Sequence, residues 1–141
     1  MSTEKAFNLA MQNWGTEAIP GGQSNPAVLA YFKDAGHPEI KDDDTPWCAA
    51  FLNAMLKRCG LPTTGSLAAR SFLTWGVPTV SPQLGDVVVL WRGTKDGPFG
   101  HVGFVTAVYK NWVYVLGGNE ANKVEIAPFD TAHVLQYRRL G

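Results

Sequence analysis

The apolar pattern changes period near Pro82, and that change leaves few folds open to the chain. Before it, apolar residues recur at helical spacing. After it come short runs rich in β-branched and aromatic residues, separated by polar or Gly/Pro breaks. The runs are Val87–Trp91, Val102–Tyr109, Trp112–Leu116, Val124–Ala127 and Val134–Tyr137, with Lys110 and Asn111 as a hairpin turn. Helices followed by consecutive strands predict an α+β domain, with N-terminal helices packed on an antiparallel sheet of about five strands.

Four helices are expected upstream. The first runs from about Thr3 to Trp14, with Ser2 as N-cap and Gly15 as its stop. A loop follows over Ile19 to Ser24. The second helix starts near Asn25, with Pro26 at its first position and Gly36 just past its end. The third has Thr45 as N-cap and Pro46 at its first position. Ala49, Leu52, Met55, Leu56 and Cys59 then repeat at helical spacing before Gly60. The fourth covers about Ser66 to Trp75, closed by Gly76.

A chain of 141 residues fits one domain, spanning 1–141, with a core of ordinary size. It is 45% hydrophobic and 17% charged, a globular balance. Twelve basic side chains cancel twelve acidic ones, so no charge excess points to nucleic acid or to an anionic membrane. No apolar run approaches the ~18 residues of a spanning helix. Met1 to Trp14 lacks the basic-then-apolar order of a secretory signal. The expectation is a monomer made in the cytoplasm that passes the membrane only through a pore or a secretion apparatus.

Two cysteines, Cys48 and Cys59, fall in the third helix. At 1.5 Å per residue they stand roughly 16 Å apart, beyond the reach of a disulfide. Their positions differ in chemistry. Cys48 lies in the opening turn, where the helix field and unpaired N–H groups stabilise a thiolate and can hold an oxyanion. Cys59 lies at the far end, where the field has the wrong sign, and reads as core packing.

Of the three histidines, His101 opens a strand between Gly100 and Val102. A histidine at a strand end can point into a cleft. His37 reads as a loop residue, and His133 precedes the last strand. A base histidine needs a third polar group to orient its ring. If the strands flanking Lys110 pair, the end of the second returns beside the start of the first. Asn119 or Glu120 then comes near His101, and the register does not choose between them. The acidic run Asp42–Asp44 reads as a solvated loop favouring the positive helix end. A calcium site there would need a Gly-containing loop that the sequence lacks. No Cys/His set has zinc spacing, so no metal and no cofactor are expected. Trp14, Trp75 and Trp112 read as core or edge packing. Trp47, beside Cys48, and Trp91 are candidates to line a cleft, although packing accounts for both.

With these residues placed, the chain resembles the CHAP and NlpC-type cysteine amidohydrolases and peptidases. Within them it is most similar to a compact group found in phage lysis cassettes and prophages. The likeness rests on EAIPG at Glu17–Gly21 with SNP at Ser24–Pro26, TPWCAAF at Thr45–Phe51, and SLAAR at Ser66–Arg70 with Trp75 and Gly76. It continues through GDV at Gly85–Val87, GHVGF at Gly100–Phe104 and GGN at Gly117–Asn119. The resemblance implies a papain-like fold, with Cys48 as nucleophile, His101 as base and Asn119 as the orienting third residue. Glu120 stands where the family often has Gln, which makes it the alternative third residue. No family glutamine matches the second oxyanion donor. Asp44 is near the right place and would line the cleft, but an ionised carboxylate cannot donate.

The implied activity is hydrolysis of an amide bond in bacterial peptidoglycan. The bond is either the lactyl–L-alanine link or one within the stem or cross-bridge peptide. The implied role is that of a phage or prophage endolysin. The alternatives are a delivered antibacterial toxin with the same chemistry, a non-catalytic wall-binding module, and an acyltransferase on the same fold.

Overall fold

The computed structural model describes residues 2–19 and 24–141, so residues 20–23 of the loop expected over Ile19 to Ser24 lie outside it. Three α-helices come first: α1 (Glu4–Gln12), α2 (Pro26–Asp34) and α3 (Cys48–Arg58). A 3-10 helix (Ala69–Thr74) leads into six strands: β1 (Val77–Thr79), β2 (Val87–Trp91), β3 (Gly100–Tyr109), β4 (Trp112–Glu120), β5 (Lys123–Asp130) and β6 (Val134–Arg139). They form one antiparallel sheet in the order β1-β6-β2-β3-β4-β5. Among the described residues, no helix is long and apolar enough to cross a membrane.

The α+β expectation holds, with one strand more than the sequence pattern marks. β1 is only three residues long and contains Pro78, which restricts it to the sheet edge. The expected fourth α-helix is instead a 3-10 turn. Ser66 Oγ accepts from the Ala68 N–H and sets a local turn that keeps the helix from starting until Ala69.

The unbroken apolar run of β2 follows from burial on both faces. Val87 and Val89 join the core beneath the helices, together with Val102, Phe104, Leu116 and Val124. Val88 and Leu90 join a second cluster with Val105, Val113 and Val115, closed by Phe129, Val134 and Tyr137. Side chains alternate along a strand, so consecutive valines serve opposite faces. Lys110 and Asn111 form the expected two-residue hairpin turn, joining Tyr109 to its partner Trp112, and Lys110 has φ +55°. The segment after α1 lies along β5, with the Gly15 N–H on Val124 O and the Ala18 N–H on Asn122 O. That edge of the sheet is therefore partly covered.

α3 is the core helix, and all its residues from Cys48 to Leu56 are buried. Even Asn53 is fully buried. Its side-chain amide donates to Thr64 Oγ1 and Ser66 O, and its oxygen accepts from the Thr64 N–H, each at 3.0 Å. One polar side chain thus ties the loop after α3 to the helix. Asn53→Ala leaves those partners unsatisfied, and we expect a loss of about 2 kcal/mol, read as a shift in the urea midpoint.

Candidate active site

α3 begins two residues later than the sequence suggests. Thr45 is not its cap, nor is Pro46 its first residue; Trp47 holds the cap position and Cys48 opens the helix. The cause lies in the acidic run. Asp42 Oδ1 accepts from the N–H groups of Asp44 and Thr45 and from Thr45 Oγ1, forming a separate turn ahead of the helix. Cys48 therefore stands at the first helical position, where backbone N–H groups have no intrahelical acceptor.

The three aspartates have three fates. Asp42 closes the turn. Asp43 is buried, and its Oδ2 accepts from the N–H groups of Ile19 and Asn25, each at 2.8 Å. Asp44 is exposed and is not among the residues lining the cleft at Cys48, where Thr45 and Pro46 stand instead. Among the described residues no group of three or more His, Cys, Asp or Glu is placed to hold a metal ion.

Trp47 does not line the cleft either. It is fully buried, stacked on Tyr31 with ring centroids 5.9 Å apart, and edge-on to Phe51. Its role is to seat α3 on the sheet. A Cβ on Gly118 would stand 2.5 Å from Phe51 Cβ and 2.9 Å from Trp47 Cε3, so only glycine lets β4 come this close. Gly118→Ala should force the helix start away from the sheet. We expect it to destabilise the protein by about 1–3 kcal/mol, the range for overpacking, as a fall in Tm with a loss of activity at temperatures where the variant is still folded.

His101 is the second residue of β3, opposite Leu90 of β2, and only 3% exposed. Glu120 ends β4 and is equally buried. The hairpin brings the two together, and His101 Nε2 meets Glu120 Oε1 as an ion pair. Asn119 is not the residue on the imidazole. The β4–β5 register slips between Gly117 and Glu120, and Asn119 sits in that irregularity with φ +62°. A position 117 side chain would point at the pair, since its Cβ would stand 3.0 Å from Glu120 Oε1 and 3.3 Å from His101 Nε2. In a regular strand residue 119 would share that face. The irregularity shifts the alternation by one and delivers Glu120 there. Asn119 is half-buried, and its side chain makes no hydrogen bond among the described residues.

The other side of His101 is Cys48. Burial opposes the thiolate, but a hydrogen bond and the charge of His101, the Val102 backbone and the charge of Arg92 outweigh it, so the Cys48 pKa lies below the ordinary thiol value. Burial likewise opposes the imidazolium. The Cys48 and Glu120 contacts overcome it and lift His101 to about 10. Apart from His101, the Glu120 oxygens have no partner among the described residues. A buried carboxylate so placed requires the neighbouring positive charge. Cys48, His101 and Glu120 thus stand in a row, with Glu120 on Nε2 of the imidazole and Cys48 on its other side. Phe129 supports it by stacking on the His101 ring, with centroids 5.2 Å apart.

The remaining candidates lie elsewhere. His37 bridges Glu39 Oε2 and Gly65 O on the surface. His133 stacks on Trp91 at 3.9 Å between centroids, which makes Trp91 a packing partner at the sheet end. Cys59 follows the last turn of α3, packed against the core, and both cysteines are free. Cys48 faces solvent through a cleft of about 400 Å³, while His101 and Glu120 lie beneath it. Sequence reasoning missed Arg92, which lines this cleft. The break after the 87–91 run was visible, but not that it returns to Cys48.

The whole fold is similar to the crystal structure of a protein described as similar to a lipoprotein of the NLP/P60 family, from Staphylococcus aureus. The TM-score is 0.51 and the identity 16%, over 99% of this chain and 41% of that one. The crystal structure of Ly7917 aligns with TM-score 0.47 and 18% identity, over 97% of this chain and 62% of that one. The chain therefore spans less than two thirds of either. At these identities the first likeness speaks for the fold alone, and the second carries no argument. No curated protein matches the sequence. The CHAP domain family model covers residues 40–119, more than half of the 141 residues and the stretch that holds Cys48, His101 and Asn119. On that match the chain belongs to the CHAP domain family.

Proposed function

We propose that the protein hydrolyses an amide bond in bacterial peptidoglycan, with Cys48 as nucleophile, His101 as acid and base, and Glu120 as the group that orients and charges the imidazole. The observation that carries this reading is the buried row Glu120–His101–Cys48, ending in a thiol at the first position of a helix and at the floor of an open cleft. Membership of the CHAP domain family supports peptidoglycan as the substrate.

In the first step the Cys48 thiolate attacks the amide carbon, and the oxyanion is met by the Cys48 N–H. The His101 imidazolium gives its proton to the leaving nitrogen. The C–N bond breaks, leaving a thioester on Cys48. In the second step neutral His101 takes a proton from water, whose oxygen attacks the thioester. The C–S bond breaks and thiolate and imidazolium are restored. One water is consumed, and the products are a carboxylic acid and an amine. Glu120 keeps Nε2 protonated and turned toward it, as a third residue does in such triads. The motif likeness further supports a phage or prophage lysis role.

Isolated peptidoglycan treated with the purified chain should release soluble fragments whose masses name the bond cut. Silence on peptidoglycan of several wall chemistries would overturn the substrate.

A further inference from the structure

The cleft over Cys48 is walled mainly by apolar groups, among them Pro46, Leu67, Ala69 and Phe99. Arg92 is the single charged side chain among the described residues that line it. Its backbone is fixed, because it directly follows β2 and its N–H donates to Phe99 O at 3.2 Å. Gly93, with φ +80°, then turns the chain away.

The loop beyond is held from the opposite wall. Arg70, in the 3-10 helix, donates from Nε to Phe99 O, from Nη1 to Lys95 O and from Nη2 to Thr94 O, at 2.8–2.9 Å. Three donors on three carbonyls leave Arg70 a clamp and not a ligand. The same holds for the other arginines. Arg58 pairs with Asp34 and Arg139 with Asp86, while Arg138 binds Trp75 O, Gly76 O and Gln136. Among the described residues, only the Arg92 guanidinium has no hydrogen bond or ion pair. It is exposed in the cleft, permanently charged, and shaped to bind a carboxylate through two parallel N–H groups. Arg92 and Cys48 line the same cleft, so the guanidinium faces the space in which the reacting carbonyl must sit.

We propose that Arg92 is a specificity-determining residue that pairs with a substrate carboxylate adjacent to the scissile amide, so that the cleft selects a free carboxylate over a carboxamide. This rests on the peptidoglycan reading above. For the lactyl–L-alanine link and the stem amides on either side of the γ-linked glutamate, the nearest carboxylate is that residue's α-carboxylate, which occurs either free or amidated. The apolar walls suit the small side chains flanking that residue. They also exclude water from the ion pair once substrate fills the cleft, which strengthens it. Asp44 and Asp96, the nearest acidic residues in sequence to the lining segments, are exposed and are not part of the lining.

The test uses the full chain and two synthetic muramyl stem peptides differing only in glutamyl α-carboxylate or α-carboxamide, with kcat/KM measured for each. Wild type should favour the carboxylate peptide about tenfold to hundredfold, the range of one charge-assisted pair. Arg92→Gln should level the two peptides, mainly through KM on the carboxylate form. Arg92→Lys should keep part of the preference. The ratio between peptides cancels the common influence of Arg92 on the Cys48 thiolate. Equal cleavage by wild type, or a preference that survives Arg92→Gln, would overturn the role of Arg92 alone. Cleavage of neither peptide while whole peptidoglycan still yields fragments would place the cut bond outside the stem and overturn the role of Arg92. Cleavage of neither peptide nor peptidoglycan would overturn the underlying hydrolase reading with it.

Discussion

Glu120→Gln should lower kcat/KM about 10²-fold and narrow its pH profile from both sides. The substitution keeps the size of the side chain and a hydrogen-bonding group on His101, and removes only the charge. The loss expected for a displaced proton-transfer group is 10²-fold to 10⁴-fold, and retained orientation holds this variant near the lower end. In the wild type the ion pair exists between two limits. As pH falls through the lowered Cys48 pKa, the thiolate is protonated and activity is lost. As pH rises through about 10, the imidazolium loses its proton and activity is lost again. Without the carboxylate, the His101 limit falls, and the Cys48 limit rises because a weaker imidazolium holds its thiolate less well.

Stability follows the same signs. His101 is raised in the folded state, so its contribution is full below the unfolded histidine value of about 6.5 and fades as pH climbs toward 10. Cys48 is lowered, so its contribution is present above the unfolded thiol value and fades as pH falls through the folded one. Urea midpoints for wild type and Glu120→Gln across pH 6 to 10 should therefore converge at the alkaline end. Parallel curves would contradict the role given to Glu120.

Cys48→Ala should remove turnover entirely, at least 10⁴-fold below wild type, because no other nucleophile stands on His101. The fold should survive within about 1 kcal/mol. The change deletes one sulfur, and His101 keeps its partner Glu120. Digestion of isolated peptidoglycan, followed by mass spectrometry of the soluble fraction, reads the first effect, and a thermal melt reads the second. Fragments released equally by wild type and variant would mean that Cys48 is not the nucleophile. Matched losses of activity and stability would mean that it is a core residue.

Most of the architecture could be read from periodicity, since helical spacing and strand runs depend on which face is buried. The hairpin at Lys110 carried further. Pairing across that turn is enough to bring the end of β4 back to His101. What could not be read depended on hydrogen bonds made outside the local pattern. The start of α3 looked like Thr45 because nothing in the sequence shows Asp42 capturing the N–H groups of Asp44 and Thr45. Asn119 and Glu120 could not be separated because a single register slip exchanges them, and that slip needs the left-handed backbone at Asn119. Trp47 beside Cys48 suggested a cleft wall, but the Gly118 contact turned it inward. Arg92 gave no signal, because its neighbourhood comes from the return of the β2–β3 loop to the helix start.

The proposed chemistry needs a Cys48 thiolate stabilised below the ordinary thiol value, and alkylation measures that directly. In a Cys59→Ser background, the rate of Cys48 modification by iodoacetamide would be followed from pH 4 to 10 by intact-protein mass. The predicted curve rises with a midpoint below the ordinary thiol value, and Glu120→Gln moves that midpoint upward. A midpoint at or above the ordinary thiol value, unmoved by Glu120→Gln, would contradict the ion pair and the mechanism built on it.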